Sequence, residues 1–161
     1  MQVSVIIPAK NEAAALPTLL EGLQTIENIL EIIVVNDGST DNSLEILEFY
    51  SDKITIISQT NHGLASALNV GIKQMKGDWF KWFSPDDVMY SYTIETLVDE
   101  AKKHSNTIVY SNWKIIDEKG NKLREFHESN YNELSNFEYN VRLLDGQQIN
   151  VNTSLIPSFL F

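Results

Sequence analysis

The sequence contains no cysteine, so neither a disulfide frame nor a thiolate metal site can form. It is also poor in basic residues: 12 Lys and Arg stand against 22 Asp and Glu, a net charge of −10. A nucleic-acid-binding protein needs a basic face, so no nucleic-acid partner is expected. An acidic protein that binds an anion must offset the charge with a metal or with backbone amides. No run reaches ~18 apolar residues, so no membrane span is expected, and the first residues lack a secretion signal. No internal repeat or low-complexity segment occurs. The first apolar run is not followed by Gly-x-Gly-x-x-Gly, which argues against a dinucleotide-dependent oxidoreductase. The lack of cysteine fits a reducing compartment, and a cytoplasmic location with peripheral membrane contact is the expectation.

What is present suits one globular domain over 1–161, with 43% hydrophobic and 21% charged residues. Val3 to Pro8 is a short β-branched run that reads as a buried strand ended by proline. Asn11 is expected to cap the next helix, with Glu12 in its first turn and Leu16, Leu19, Leu20 and Leu23 as its stripe. Pro17 fits only near that helix's start. Glu31 to Asp37 reads as a second buried strand, followed by a turn at Gly38 to Asp41. Asn42 and Glu45 fit a capping box, and Leu44, Ile46, Leu47 and Tyr50 an apolar stripe. Lys53 to Ser58 is a third strand, and Asn61-His62-Gly63 a turn. A helix with Leu64, Leu68, Gly71, Ile72 and Met75 on one face precedes a fourth strand, Asp78 to Phe83.

Strand and helix alternate, which predicts a parallel sheet with right-handed crossovers and helices on both faces. Ligands of such sheets lie beyond the strands' carboxyl ends. Pro8 to Asn11, Asp37 to Ser39, Asn61 to Gly63 and the pair Asp86-Asp87 should all gather there. Adjacent carboxylates after the turn at Ser84-Pro85 suit a hard cation that takes one or two carboxylates plus phosphates. Further on, Ser91 to Lys103 is a helix, and Thr107 to Asp117 and Lys122 to Phe126 form a hairpin around Lys119-Gly120-Asn121. Asn130 to Asn140 reads as irregular, and one more strand is expected within Ile149 to Ile156. The apolar end, Leu155 to Phe161, either docks on the body or leads into further chain. Trp79, Phe80, Trp82 and Phe83 read as sheet core, and Trp113 as an aromatic of the later strand. His62, Lys10 and Lys81 are the cations nearest the loops in sequence.

Three stretches, Val3 to Glu12, Ile33 to Asp41 and Asn61 to Ile72, in this order and spacing resemble the family 2 glycosyltransferases. The resemblance implies a GT-A fold: a three-layer α/β/α sandwich with a mostly parallel central sheet and an appended β-hairpin. It implies a nucleotide-binding half over about 1–90 and part of an acceptor half over about 91–161. It further implies inverting, metal-dependent transfer from a nucleotide-diphospho-sugar, with a UDP-sugar favoured. The acceptor would be a glycan or lipid-linked hydroxyl, as in cell-envelope polysaccharide biosynthesis. Pro8, Ala9, Asn11 and Glu12 match the family's first nucleotide-binding loop. Asp37 matches the acid that bonds the base, and Asp86 and Asp87 match the end of the carboxylate motif that holds Mg2+ or Mn2+, with Asp86 beside the nucleotide. Two positions depart from the family: Ser84 stands where an aspartate usually opens that motif, and Leu68 where arginine is common. No Glu-Asp pair that would supply a catalytic base follows Asp117-Glu118, and Asp145 lies in no motif. A non-catalytic or truncated nucleotide-sugar-binding domain is the alternative.

Overall fold

Strand β1 (Val3–Ala9) is the centre of the sheet. In the computed structural model, which describes residues 1–103, 107–126 and 154–161, Val3, Val5, Ile6 and Ile7 have no exposed surface. At roughly 1.5–3 kcal/mol per buried aliphatic side chain, this one strand anchors the core on both faces. β1 pairs in parallel with β2 (Ile29–Asp37) on one edge and with β4 (Trp79–Trp82) on the other. β3 (Thr55–Gln59) extends the sheet beyond β2, also in parallel. β8 (Ser154–Pro157) runs antiparallel beside β4, and β5 (Val109–Tyr110) completes the order β3-β2-β1-β4-β8-β5.

Alternation along β1 and β2 sorts two apolar layers. Val3, Val5, Ile7, Ile32 and Val34 join Leu16, Leu20, Leu47, Ile94, Leu97 and Val98. Those partners come from α1 (Leu16–Leu23), α2 (Ser43–Phe49) and α4 (Thr93–Lys103). On the other face Ile6, Ile33, Val35 and Phe80 pack on Ala67, with Leu68, Val70, Ile72 and Met75 against them, all from α3 (Leu64–Gln74) except Met75, its C-cap. The expected three layers and mostly parallel sheet are therefore present. The chain leaves β1 toward β2 and returns, after α3, to β1's other edge at β4. The strand order reverses between β1 and β4, which is where sheets of this kind open a crevice.

Pro8 does not end the strand; Ala9 still pairs with Asn36. The carbonyl of Ile6 accepts from Phe83 N, so the backbone of Ile6, and two residues on that of Pro8, faces the β4 edge. The β4 ladder ends at Ile6, so the N–H that proline lacks has no partner to lose. Several local readings are corrected. α1 begins at Leu16, with Pro17 in its first turn as expected, and Asn11 does not cap it. Asn42 occupies the N-cap of α2 without a side-chain bond, so no capping box forms there. Leu44 (37% exposed) and Leu64 (50%) leave their stripes for solvent. The strand expected over Thr107 to Asp117 is broken into β5 and β6 (Trp113–Ile116).

The described chain divides into two units, Met1–Val109 with Leu155–Phe161, and Tyr110–Ser154. Within the second, β6 and β7 (Lys122–Phe126) form the expected antiparallel hairpin. Trp113 stacks on Phe126 at 3.9 Å between centroids and 6° between planes, and the Arg124 guanidinium lies 4.5 Å from the Phe126 centroid. Asp117 accepts from the backbone of Lys119 and Asn121 and closes the turn. The irregular stretch Asn130 to Asn140, Asp145 and the start of the last expected strand fall outside the described residues. In the first unit Leu155 is fully buried, and Phe161 meets Phe80 edge-on at 5.1 Å.

At the amino ends of the strands, Ser4 Oγ donates to Glu31 at 2.7 Å and accepts from Gly77 N at 2.9 Å. A Cβ on Gly77 would sit 2.7 Å from that hydroxyl and 2.8 Å from both Gln2 O and Ser4 N. Two of these atoms are backbone, one in the central strand and one just before it, and cannot yield cheaply. Gly77→Ala is therefore expected to cost about 2 kcal/mol in urea unfolding, with an unchanged slope. A loss below about 0.5 kcal/mol would contradict this packing.

Candidate functional site

The loops that follow β1 and β2 are stitched together by side chains of both. Asn11 takes a left-handed backbone, φ 59°. This is a conformation asparagine tolerates better than most residues. Its N–H donates to Ser39 Oγ at 3.0 Å, and its Oδ1 accepts from Thr40 N at 2.8 Å and from Asp41 N at 3.4 Å. Glu12 N donates to the buried Ser43 hydroxyl at 2.9 Å, and Ala13 N to Asp41 at 3.3 Å. Asp41 also accepts from Ser43 N at 3.0 Å, and these bonds, the Ser43 hydroxyl's first, hold its carboxyl below the usual range. Asn11 is thus a clasp between two loops and not the helix cap that its position suggests.

Asp37 binds the next loop in the same way. It is 4% exposed at the end of β2. Its Oδ1 accepts from Gln59 Nε2 at 2.7 Å and His62 N at 2.9 Å, and its Oδ2 from Gly63 N at 2.8 Å. Burial pushes its carboxyl up, but the bonds from Gln59, His62 and Gly63, helped by the Lys10 charge, outweigh this and leave it lowered. With Oδ1 carrying two donors and Oδ2 one, the carboxylate keeps one lone pair for a further donor. Gly38 lets the two loops touch: its φ is 70°, and a Cβ there would lie 2.8 Å from Asn61 N.

The fourth loop is the turn Ser84-Pro85-Asp86-Asp87, closed by Asp87 N to Ser84 O at 3.1 Å. Ser84 Oγ donates to Asp86 Oδ1 at 2.5 Å, so the residue that departs from the family pattern orients its neighbour. Asp86 and Asp87 are both exposed. Glu12 is tied to this loop electrostatically: burial, then Asp86, then Asp41 raise its carboxyl. Pro8 is half-buried and Ala9 buried at the base of the same rim. The structure therefore brings Pro8, Ala9, Asn11, Glu12, Asp37, Asp86 and Asp87 to the carboxyl ends of β1, β2 and β4.

Leu68 does not face this rim; it packs in the α3 layer. Trp79, Phe80 and Phe83 are core as expected. Trp113 is engaged by Phe126 within the hairpin. Gln59 and Ser43 carry no local signal, because their partners lie 22 and 31 residues away. Lys81, expected only as a cation near the loops, is instead a core residue. It is 1% exposed in β4, and burial pushes its ammonium down to about 7 while Asp87 pulls it up. Its signal was present: one lysine inside the aromatic run Trp79 to Phe83.

Among the described residues no group of three or more His, Cys, Asp or Glu could hold a metal. The exposed Asp86 carboxylate offers hard oxygen, which fits the mode in which Mg2+ or Mn2+ takes one or two carboxylates and completes its shell with phosphate and water.

A parallel sheet with helices on both faces and four polar loops at one rim defines an α/β protein on the GT-A plan. The profile of glycosyl transferase family 2 matches residues 4–156, and the chain belongs to that family. An uncharacterised glycosyltransferase of Rickettsia conorii is 47% identical over 128 residues, 76% of this chain and 21% of that protein. One from Rickettsia prowazekii is 40% identical over 163 residues, 99% of this chain and 51% of its own length. The chain thus spans about half, or less, of these relatives. Among solved structures, S. aureus TarS in complex with UDP-GlcNAc is 27% identical with a TM-score of 0.65, covering 75% of this chain and 37% of that one. A mannosyltransferase from Pyrobaculum calidifontis, 17% identical with a TM-score of 0.69 over 97% of this chain and 44% of that one, shares the fold.

Two outcomes test the rim. Asn11→Ala is expected to speed amide exchange of Thr40 and Asp41 by about tenfold, as loss of a ~1.4 kcal/mol bond set requires; unchanged exchange would exclude the clasp. Asp37, with its folded value lowered, stabilises the fold in full above the ordinary carboxylate range. That contribution fades as pH falls through the folded value, because the unfolded chain takes up its proton first. The stability gap between the wild type and Asp37→Asn should therefore shrink between about pH 5 and pH 2. A gap that stays constant in urea titrations across this range would contradict the assignment.

Proposed function

We propose that this chain binds the donor of a glycosyl transfer reaction, a nucleotide-diphospho-sugar, at the rim formed by the four loops. The observation that carries the reading is the convergence of Asp37, the Asn11 loop and the Asp86 turn beside the β1–β4 reversal. In it, the free lone pair of Asp37 accepts from the base, and the backbone around Pro8 and Ala9, with Asn11 and Glu12, borders the nucleotide. A UDP-sugar is favoured; the TarS complex with UDP-GlcNAc supports this choice. Asp86, oriented by Ser84, would hold a Mg2+ or Mn2+ that neutralises charge on the leaving diphosphate. The transfer would invert the anomeric carbon. Its bond to the diphosphate oxygen breaks as the bond to an acceptor hydroxyl forms, and a general base takes the hydroxyl proton.

That base is unassigned in this chain. The acceptor in this reading is a glycan or lipid-linked hydroxyl of cell-envelope polysaccharide, reached from the cytoplasmic side with peripheral membrane contact. No helix among the described residues is long and apolar enough to cross a membrane. The second reading, a domain that binds the donor without completing transfer, rests on the lack of a Glu-Asp pair in residues 119–161.

Calorimetry with UDP decides the donor reading, and turnover of a UDP-sugar separates the two versions. Saturable binding that needs Mn2+ and falls about tenfold or more in Asp86→Asn is expected. Binding without turnover supports the second version. The absence of metal-dependent binding of either UDP or GDP would overturn both.

A further inference from the structure

Directly after the Asp86 turn the chain exposes three large hydrophobic side chains at alternate positions: Val88 (79% exposed), Tyr90 (54%) and Tyr92 (58%). Tyr90 and Tyr92 stack in parallel, with 5.4 Å between ring centroids and 9° between planes. Each ring covers part of one face of the other, and more than half of each residue stays open to solvent. The segment beneath them is pinned. Met89 packs on the core layer of α1 and α4. Tyr90 O accepts from Thr93 N at 3.0 Å, and Tyr92 O from Thr96 N at 3.0 Å and Thr96 Oγ1 at 2.9 Å, at the start of α4. Tyr90 follows Asp86 by four residues, so their Cα atoms lie within roughly 15 Å. An exposed aromatic standing singly is ordinary, whereas a stacked pair on a pinned segment beside a ligand rim marks a binding surface.

The charge of the surroundings narrows the occupant. Between Lys81 and Lys102 the chain carries Asp86, Asp87, Glu95, Asp99 and Glu100 and no basic residue. An anionic lipid surface or a phosphate-bearing polymer is repelled by such a stretch, since both are drawn by clusters of Lys and Arg. A pyranose suits it: the flat C–H face of the sugar meets the negative face of an aromatic ring, while its hydroxyls stay in water or donate to carboxylates. We propose that Tyr90 and Tyr92 form a stacking platform for a neutral sugar of the acceptor, beside the Asp86 turn. This rests on the donor-site reading and deepens it, giving the acceptor a subsite within the first unit and a charge class, an uncharged glycan.

Sugar titrations followed on the ring signals of the isotope-labelled chain test this. The probes are three neutral trisaccharides (cellotriose, maltotriose and triacetylchitotriose) and an anionic one, trigalacturonic acid. At least one neutral sugar should shift the Tyr90 and Tyr92 rings saturably at millimolar concentration. Tyr90→Ala and Tyr92→Ala should each weaken that binding about fivefold or more, while Tyr92→Phe, which keeps the ring, should bind within about twofold of the wild type. Phe49→Ala, which removes an 84% exposed aromatic at the end of α2, should also stay within about twofold. The proposal is overturned if no neutral trisaccharide shifts these rings, or if trigalacturonic acid binds as tightly. It is equally overturned if the rings respond instead to phosphatidylglycerol vesicles or to protein concentration, which would make the patch a membrane or self-association surface. UDP with Mn2+ is titrated separately: if the wild type does not bind it, the donor-site reading falls, and the sugar titration by itself decides the platform.

Discussion

The structure depends on one strand being apolar on both faces and paired on both edges. β1 has β2 on one side and β4 on the other, with α1, α2 and α4 above and α3 below. Because β2 and β4 run parallel to it, their carboxyl ends come out on the same rim. The strand order also reverses across it, the position at which sheets of this kind open a crevice. The polar residues that follow these strands meet for this reason, although they are spread over some eighty positions of the sequence.

The rim has its own problem, since it is acidic and is read as binding an anion. Much of its carboxylate oxygen is already engaged in hydrogen bonds within the protein. Asp37 is occupied by Gln59 and two backbone N–H groups, and Asp41 by Ser43 and Ala13. Burial and its carboxylate neighbours Asp86 and Asp41 raise the Glu12 carboxyl. Several carboxylates here act as fasteners of loops, and the Asp86 carboxylate, exposed and held by Ser84, is left facing solvent.

The sheet was legible because its signals are local. Val3 to Pro8 and Ile32 to Val35 are continuous β-branched runs, and only a strand buried on both sides uses such runs without alternation. The loops were legible in place but not in detail. Asn11 and Asn42 look like helix caps because capping is the short-range use of asparagine. In the fold Asn11 serves a loop some thirty residues away, and the side chain of Asn42 makes no cap bond. Leu44 and Leu64 fit a helical period yet sit in first turns at the margin of the layer, where solvent replaces the sheet. Lys81 was not legible as a buried group because strand direction cannot be read before register is known. The resemblance to family 2 glycosyltransferases pointed to the same rim that the topology builds, and the two lines are independent.

The central claim is that the loops after β1, β2, β3 and β4 form one metal-assisted nucleotide site. Paramagnetic line broadening tests it directly: Mn2+ is added to the isotope-labelled chain with UDP, and backbone amide signals are followed. The account predicts broadening of Ala9 to Glu12, Asp37 to Ser39, Asn61 to Gly63 and Asp86 to Val88 together. Gln2, Glu31 and Gly77, at the opposite end of the strands, should stay sharp. Broadening centred on that opposite end, or confined to the Asp86 turn without the Asp37 and Asn61 loops, would contradict it.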